Sequence, residues 1–134
     1  MGAQLMIGDM ARATGTKVNT IRFYEQIGLM RPAARTESGR RIYDQEDLKR
    51  LRFIRRARKL GFETGEIRSL LAISDRPEAP CATVSEIAQK HMGEIKEKIS
   101  ELKLLHDQIE RMAGACSDGS VSECSILEGM SSRA

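Results

Sequence analysis

The fold of this chain is decided near its N-terminus by residues 7–28, which read IGDMARATGTKVNTIRFYEQIG. Its first part, Ile7 to Thr14, has the apolar spacing of a short amphipathic helix, and Gly15 is suited to end that helix. Thr16 can cap a second helix from residue 17 to residue 27. Two helices separated by one or two residues are typical of a helix-turn-helix.

The next segment, residues 29–43, has turn and strand residues in place of a helical pattern. It carries Pro32, a turn at residues 36–39, and the strand-like run from Arg40 to Tyr43. This order predicts a short β-hairpin, a wing, with Gly39 supplying the turn.

Two further helices follow the wing. Asp44 is suited to cap a helix from residue 45 to residue 60. The apolar residues of that helix recur at helical spacing, at Leu48, Leu51, Ile54, Ala57 and Leu60. Thr64 can cap the second helix, whose apolar face is Ile67, Leu70 and Leu71.

A linker with two prolines, residues 74–83, carries Cys81 and leads to a long helical stretch, residues 84–113. A capping-box pattern at residues 83–86 predicts where this helix starts. Its apolar seam repeats every seven residues at Ala88, Ile95, Leu102, Ile109 and Cys116. About 30 helical residues span roughly 45 Å. We expect such a helix to pair with a second copy of the chain; the alternative is that it folds back on its own head.

The predicted organisation is therefore mainly α, in four segments. Residues 1–73 form a winged helix-turn-helix head, 74–83 the linker, 84–113 a dimerisation helix, and 114–134 a loop with a short C-terminal helix.

Composition and charge limit the classes of function that this chain can have. The 134 residues are 40% hydrophobic and 31% charged, and no run of about 18 apolar residues predicts a membrane span. No signal peptide is evident, so we expect a cytoplasmic protein whose three cysteines stay reduced. Residues 1–60 hold 14 Lys/Arg and 6 Asp/Glu, whereas residues 61–134 hold 8 and 13. A basic head suggests a polyanionic partner, and the acidic half, which holds every cysteine, suggests a second task.

The second helix and the wing carry the candidate DNA contacts. Donors near the start of a recognition helix meet base edges in the major groove, and Tyr24 and the wing residues are suited to phosphates. We interpret Phe23 as a core residue. The candidate DNA-binding residues are Lys17, Val18, Asn19, Arg22, Tyr24, Arg40, Arg41 and Tyr43.

Three stretches carry a family resemblance: residues 20–29 (TIRFYEQIGL), residues 39–43 (GRRIY), and residues 61–71. They resemble the MerR family of transcription regulators over essentially the whole chain. The resemblance implies a winged helix-turn-helix, an antiparallel coiled-coil homodimer, and binding to double-stranded promoter DNA whose spacer is too long. It further implies that effector binding distorts this DNA so that RNA polymerase engages both promoter elements.

The cysteines form the second candidate site. Cys81 and Cys116 flank the long helix, so in one straight chain they are roughly 50 Å apart. In an antiparallel pair, Cys81 of one chain lies beside Cys116 and Cys124 of the other. Three thiolates favour a soft or borderline metal ion. The alternative is three unrelated reduced cysteines.

The resemblance narrows the metal without selecting one. The family's copper(I) sensors carry serine at the position of Cys81, so Cys81 points to a divalent ion. Its zinc sensors carry a second cysteine where this chain has Ser117, and a histidine within the loop, which is absent here. The pattern resembles the mercury, lead and cadmium sensors, but the seven-residue loop is closer in length to the copper type. The metal therefore stays open among Pb, Cd, Zn and Hg.

The predicted function is a metal-responsive regulator that activates a metal-resistance or efflux promoter. The alternatives are a copper(I) sensor and a thiol-redox sensor in which Cys116 and Cys124 form a disulfide. An enzyme is not expected, because no cysteine has a histidine base at a supporting spacing and no phosphate-cradling loop is present.

Overall fold

The computed structural model describes residues 4–115, 119–121 and 124–131. The elements in chain order are α1 (Ile7–Thr14), α2 (Val18–Gln26), β1 (Ala34–Arg35), β2 (Arg41–Ile42), α3 (Gln45–Lys59), α4 (Thr64–Ser74), α5 (Cys81–Ala115) and α6 (Ser125–Ser131). The mainly helical class with a small wing is confirmed. The chain divides into two compact units, residues 1–87 and residues 88–134.

The first helix has the bounds that the sequence predicts, because Gly15 ends it in a left-handed conformation with φ 66°. The predicted cap of α2 is wrong, since Lys17 and not Thr16 occupies that position. Thr16 is buried, and its hydroxyl lies 2.8 Å from that of Thr14, inside the turn between the helices.

The wing is a two-stranded antiparallel hairpin in which Ala34 pairs with Ile42 and Arg35 with Arg41. Gly39 has φ 86°, and its amide donates to the carbonyl of Thr36 at 2.9 Å. Only glycine adopts this φ without strain, so the prediction that Gly39 forms the turn is confirmed.

The third helix starts as predicted. The Asp47 amide donates to the Asp44 carboxylate at 2.9 Å, and the Asp44 amide donates back to Asp47 at 3.0 Å. Hydrogen bonding by the Asp47 amide is the main cause that lowers the pKa of Asp44 below its ordinary value. The predicted apolar stripe is buried except at Leu60, which follows the last residue of α3 and is exposed.

The core of the first unit lies among α1 to α4, where α1 packs on α2 and α3, and α3 packs on α4. Its fully buried large side chains are Met10, Ile21, Leu29, Met30, Leu51, Ile54 and Ile67. The cap of α4 is Glu63, in place of the predicted Thr64.

The long helix α5 begins at Cys81, three residues before the predicted start. The Thr83 amide donates to the carbonyl of Pro80 at 3.3 Å, so the first turn starts at Pro80 and the capping-box residues lie inside the helix. Within the second unit, Ile99, Leu102 and Ile109 are more than half exposed, which fits a coiled-coil helix.

Candidate nucleic-acid interface and thiol residues

The N-terminal half of α2, the predicted recognition helix, presents hydrogen-bond donors to solvent. Lys17, Asn19 and Arg22 are exposed, and Val18 is half-buried. These four residues lie within the first turn and a half of the helix, where a recognition helix meets base edges. Their contacts with DNA stay a prediction.

The two aromatic residues of α2 are placed opposite to the expectation. Tyr24 is 5% exposed, whereas Phe23 is 48% exposed, so the prediction that Phe23 lies in the core is wrong. Ile21 and Tyr24 are three residues apart and share the buried face, which leaves Phe23 about 100° away from it. Little of the Tyr24 side chain is exposed to a phosphate, and its predicted phosphate contact stays a prediction.

The wing carries Arg40 near its tip and Arg41 in β2. Arg40 is exposed, and Arg41 is half-buried. Arg35, which sequence reasoning missed, donates through Nη1 to the carbonyl of Gly39 at 2.7 Å and so fastens the tip.

A carboxylate joins the wing to the recognition helix. Glu25 of α2 accepts a hydrogen bond from the Tyr43 hydroxyl and lies 3.6 Å from Nε of Arg41. Tyr43 is 3% exposed; burial, followed by the Glu25 hydrogen bond, raises its pKa far above the ordinary value of a tyrosine. Tyr43 therefore fixes the base of the wing in this chain, and its predicted phosphate contact stays untested.

Arginines of α3 and α4 bind the backbone at both ends of α2. Arg55 donates to the carbonyl of Gly15 at 3.4 Å, before the helix. Arg68 donates to the carbonyl of Ile27, and Arg50 to that of Leu29, each at 2.7 Å, after the helix. Sequence reasoning missed all three, because they are surface-type residues with no local pattern that marks a distant carbonyl.

The candidate thiols fall in different units. Cys81 is exposed as the first residue of α5, in the first unit. Cys124 is half-buried directly before α6; its amide donates to Val121 at 3.1 Å and its carbonyl accepts from Glu128 at 3.1 Å. Cys116 lies outside the described residues. The cross-subunit arrangement needs a second chain and stays a prediction.

No helix among the described residues is both long enough and apolar enough to span a bilayer.

Comparison with known families decides the assignment. Residues 5–72 match the model described as "MerR HTH family regulatory protein", and residues 48–112 match "MerR, DNA binding". The chain belongs to the MerR family. Members of the MerR family are DNA-binding transcription regulators and not enzymes, as the sequence predicts.

Relatives within the MerR family resemble nearly the whole chain. Heavy metal-dependent transcription regulator 2 of Rhizobium meliloti (strain 1021) is 40% identical over 123 residues, which are 91% of this chain and 83% of that protein. The crystal structure of PbrR691 from Ralstonia metallidurans CH34 in complex with lead(II) has a TM-score of 0.83 at 36% identity and covers 94% of this chain and 98% of its own. The MerR regulator of Bacillus megaterium MB1 with mercury(II) has a TM-score of 0.74 at 32% identity and covers 95% and 99%.

Proposed function

We propose that this chain is a metal-responsive MerR-type transcription regulator of the cytoplasm. It senses a soft or borderline divalent ion, Pb, Cd, Zn or Hg, through Cys81, Cys116 and Cys124 at the interface of an antiparallel homodimer. In the metal-loaded state it distorts a metal-resistance or efflux promoter so that RNA polymerase engages both promoter elements. The observation that carries this proposal is the near-complete similarity to regulators named for heavy metals, or solved with them.

The head supports the DNA-binding part. Lys17, Asn19 and Arg22 offer exposed donors on α2, and Arg40 lies near the wing tip. Glu25 holds these two elements together through Tyr43 and Arg41. The helix and the wing therefore approach DNA as one body, with donors suited to bases and to phosphates.

The apolar face of α5 supports the dimer. Residues 95, 99, 102, 105 and 109 are apolar and exposed in the single chain, and they lie on helical or heptad spacing. An exposed apolar stripe of this length on a polar helix is typical of a face that a second helix covers. In an antiparallel pair the two helices run in opposite directions, so the start of one α5 lies beside the end of the other. Two copies related by a twofold axis use the same apolar face.

The chemistry of the donors supports the metal. Thiolates are soft ligands that prefer mercury, lead, cadmium and zinc over magnesium or calcium. Cys81 is exposed at the start of α5 and Cys124 is half-buried after it, so a ligand set drawn from both ends of α5 fits the proposed dimer. A bound ion would supply a cross-link between thiolates of two chains. The fold places Cys81 directly after the segment that follows α4. A displacement of Cys81 on metal binding would therefore act on the DNA-binding head through this segment.

The first test is a lead(II) titration of the reduced protein, followed by the ultraviolet thiolate-to-lead charge-transfer band. We expect one ion per chain, and loss of high-affinity binding in Cys81→Ser. Glu86→Gln is the matched control, because it changes an exposed residue of the same first turns of α5 and leaves the thiols intact. If Cys81→Ser binds lead(II) as tightly as the wild type does, the three-thiolate site is contradicted. Copper(I) binding or thiol oxidation at the tail cysteines would then be the favoured signal.

A complementation experiment tests the sharing between subunits. Cys81→Ser homodimers and Cys116→Ser/Cys124→Ser homodimers each lack every complete site. A mixed dimer regains one site, built from Cys81 of the second chain and the tail of the first. Random exchange makes half of the dimers mixed, so lead(II) binding should recover to about one-quarter of wild-type capacity. No recovery, with mixed dimers verified by native mass spectrometry, would contradict ligation between subunits.

A further inference from the structure

The C-terminal end of the recognition helix is attached to the end of α4 by one guanidinium. Nε of Arg50, on α3, donates to the carbonyl of Leu29 at 2.7 Å. Nη1 of the same side chain lies 3.3 Å and 3.4 Å from the two carboxylate oxygens of Asp75. The Arg50 side chain is 22% exposed, so most of it is held between these two partners.

The first partner belongs structurally to the recognition helix. Leu29 is fully buried, and its amide donates to the carbonyl of Tyr24 at 2.9 Å. The amide of Met30 donates to the same carbonyl at 3.1 Å. A displacement of the Leu29 carbonyl therefore acts on the last turn of α2.

The second partner begins the path to Cys81. Asp75 is the C-cap of α4, with its amide on the carbonyl of Leu71 at 2.9 Å. The residues after it form hydrogen-bonded turns, from Arg76 to Ile73 at 3.0 Å and from Ala79 to Arg76 at 2.9 Å. A connection made of hydrogen-bonded turns transmits a displacement better than a flexible linker does.

We propose that Arg50 is a positioning residue that couples the segment between α4 and Cys81 to the C-terminal end of the recognition helix. The guanidinium is a planar fork whose Nε and Nη1 hold a fixed relation, so Leu29 and Asp75 cannot move apart without losing a contact. The role of Cys81 as a metal ligand in this inference rests on the proposed function. A shift at Cys81 then changes the setting of α2 through Asp75 and Arg50.

A second link limits the size of the effect. Arg68 of α4 donates to the carbonyl of Ile27 at 2.7 Å, which also joins α4 to this end of α2. Asp75 is well exposed, and exposed ion pairs contribute little. Removing the Asp75 contact should thus weaken the coupling about two- to fivefold without abolishing it.

The test is amide hydrogen exchange of residues 24–31 in full-length protein, without metal and with saturating lead(II). Asp75→Asn keeps the size of the side chain and removes its charge, Asp75→Glu restores the carboxylate, and Glu78→Gln removes one charge from the same exposed segment. Without metal, we expect the Leu29 and Met30 amides to exchange about two- to fivefold faster in Asp75→Asn than in Glu78→Gln. With lead(II), the metal-induced change should shrink by a similar factor in Asp75→Asn and recover in Asp75→Glu, while the charge-transfer titration stays unchanged.

The outcomes separate this inference from the proposed function. An equal metal-induced change in Asp75→Asn and Glu78→Gln would overturn the role of Arg50, as would lead(II) binding by the wild type with no change at residues 24–31. Failure of the wild type to bind lead(II), cadmium, zinc and mercury(II) would contradict the proposed sensing, and the metal-free comparison would then decide whether the Arg50 link exists. Unchanged exchange in metal-free Asp75→Asn overturns it.

Discussion

Replacing Glu25 by alanine tests whether the recognition helix and the wing are held as one body. The Glu25 side chain is 11% exposed and accepts the hydrogen bond of Tyr43, which is itself 3% exposed. Without this acceptor a buried hydroxyl is left unsatisfied, at about 1–3 kcal/mol. The Arg41 ion pair is longer and partly exposed, so it adds less than about 1 kcal/mol. We expect the free energy of unfolding to fall by about 1–4 kcal/mol.

The assay is urea unfolding followed by circular dichroism at one protein concentration, applied to a double-mutant cycle. Tyr43→Phe keeps the ring and removes the hydroxyl, so Glu25→Ala in that background no longer strands a buried donor. The two changes should therefore be less than additive by about 1–2 kcal/mol. Glu37→Ala, at an exposed position of the wing turn, is the control and should stay within about 0.5 kcal/mol of the wild type. Additivity within about 0.5 kcal/mol would refute the argument that Glu25 acts through Tyr43.

Three further predictions concern the first unit, all measured by the same unfolding assay. Leu51→Ala should lower the free energy of unfolding by about 2–5 kcal/mol, because Leu51 is fully buried. Leu60→Ala, at an exposed position, should lower it by less than about 1 kcal/mol. Equal effects would contradict the observed end of the apolar stripe. Gly39→Ala should destabilise the protein by about 1–2 kcal/mol, because Gly39 has φ 86°. Gly65→Ala in α4, where a Cβ meets nothing within 4 Å, should stabilise the protein by about 0.5 kcal/mol. A neutral Gly39→Ala would count against a strained turn. The raised pKa of Tyr43 means that, just above pH 10, only the unfolded chain loses the proton of the Tyr43 hydroxyl. Tyr43 therefore leaves the free energy of unfolding unchanged below about pH 9 and lowers it as the pH rises toward about 11. Tyr43→Phe should lack this part of the decline, and identical pH profiles of the two proteins would exclude a contribution from Tyr43.

Much of the head could be predicted because its signals are local. Gly15 ends α1, Gly39 turns the wing and Asp44 caps α3, and each acts through its own backbone or through a residue three or four positions away. The same locality explains two errors. The capping-box pattern at residues 83–86 is a valid helix start, but Pro80 begins the helix earlier. Phe23 and Tyr24 are adjacent, so hydrophobicity alone does not decide which of them faces the core.

The candidate DNA-binding site likewise has a part that the sequence predicts and a part that it does not. The exposed donors of α2 and the wing could be predicted, because they are the charged and polar residues of a recognisable motif. The residues that hold those elements in place could not. The hydrogen bond from Tyr43 to Glu25 joins positions 18 apart, those from Arg50 to Leu29 and Asp75 join positions 21 and 25 apart, and that from Arg68 to Ile27 joins positions 41 apart.

The sequence by itself determined the helical class, the winged helix-turn-helix, the family and the residue types available to DNA and to metal. These follow from periodicity, from turn chemistry and from motifs that act within a few residues of each other. Only the tertiary structure decided that Tyr24, and not Phe23, belongs to the core, that Glu25 locks the wing to the recognition helix, and that Arg50 joins this helix to the end of α4. A charged side chain on a helix surface has no local preference for one distant carbonyl or carboxylate, so its partner exists only once α2, α3 and α4 have packed together.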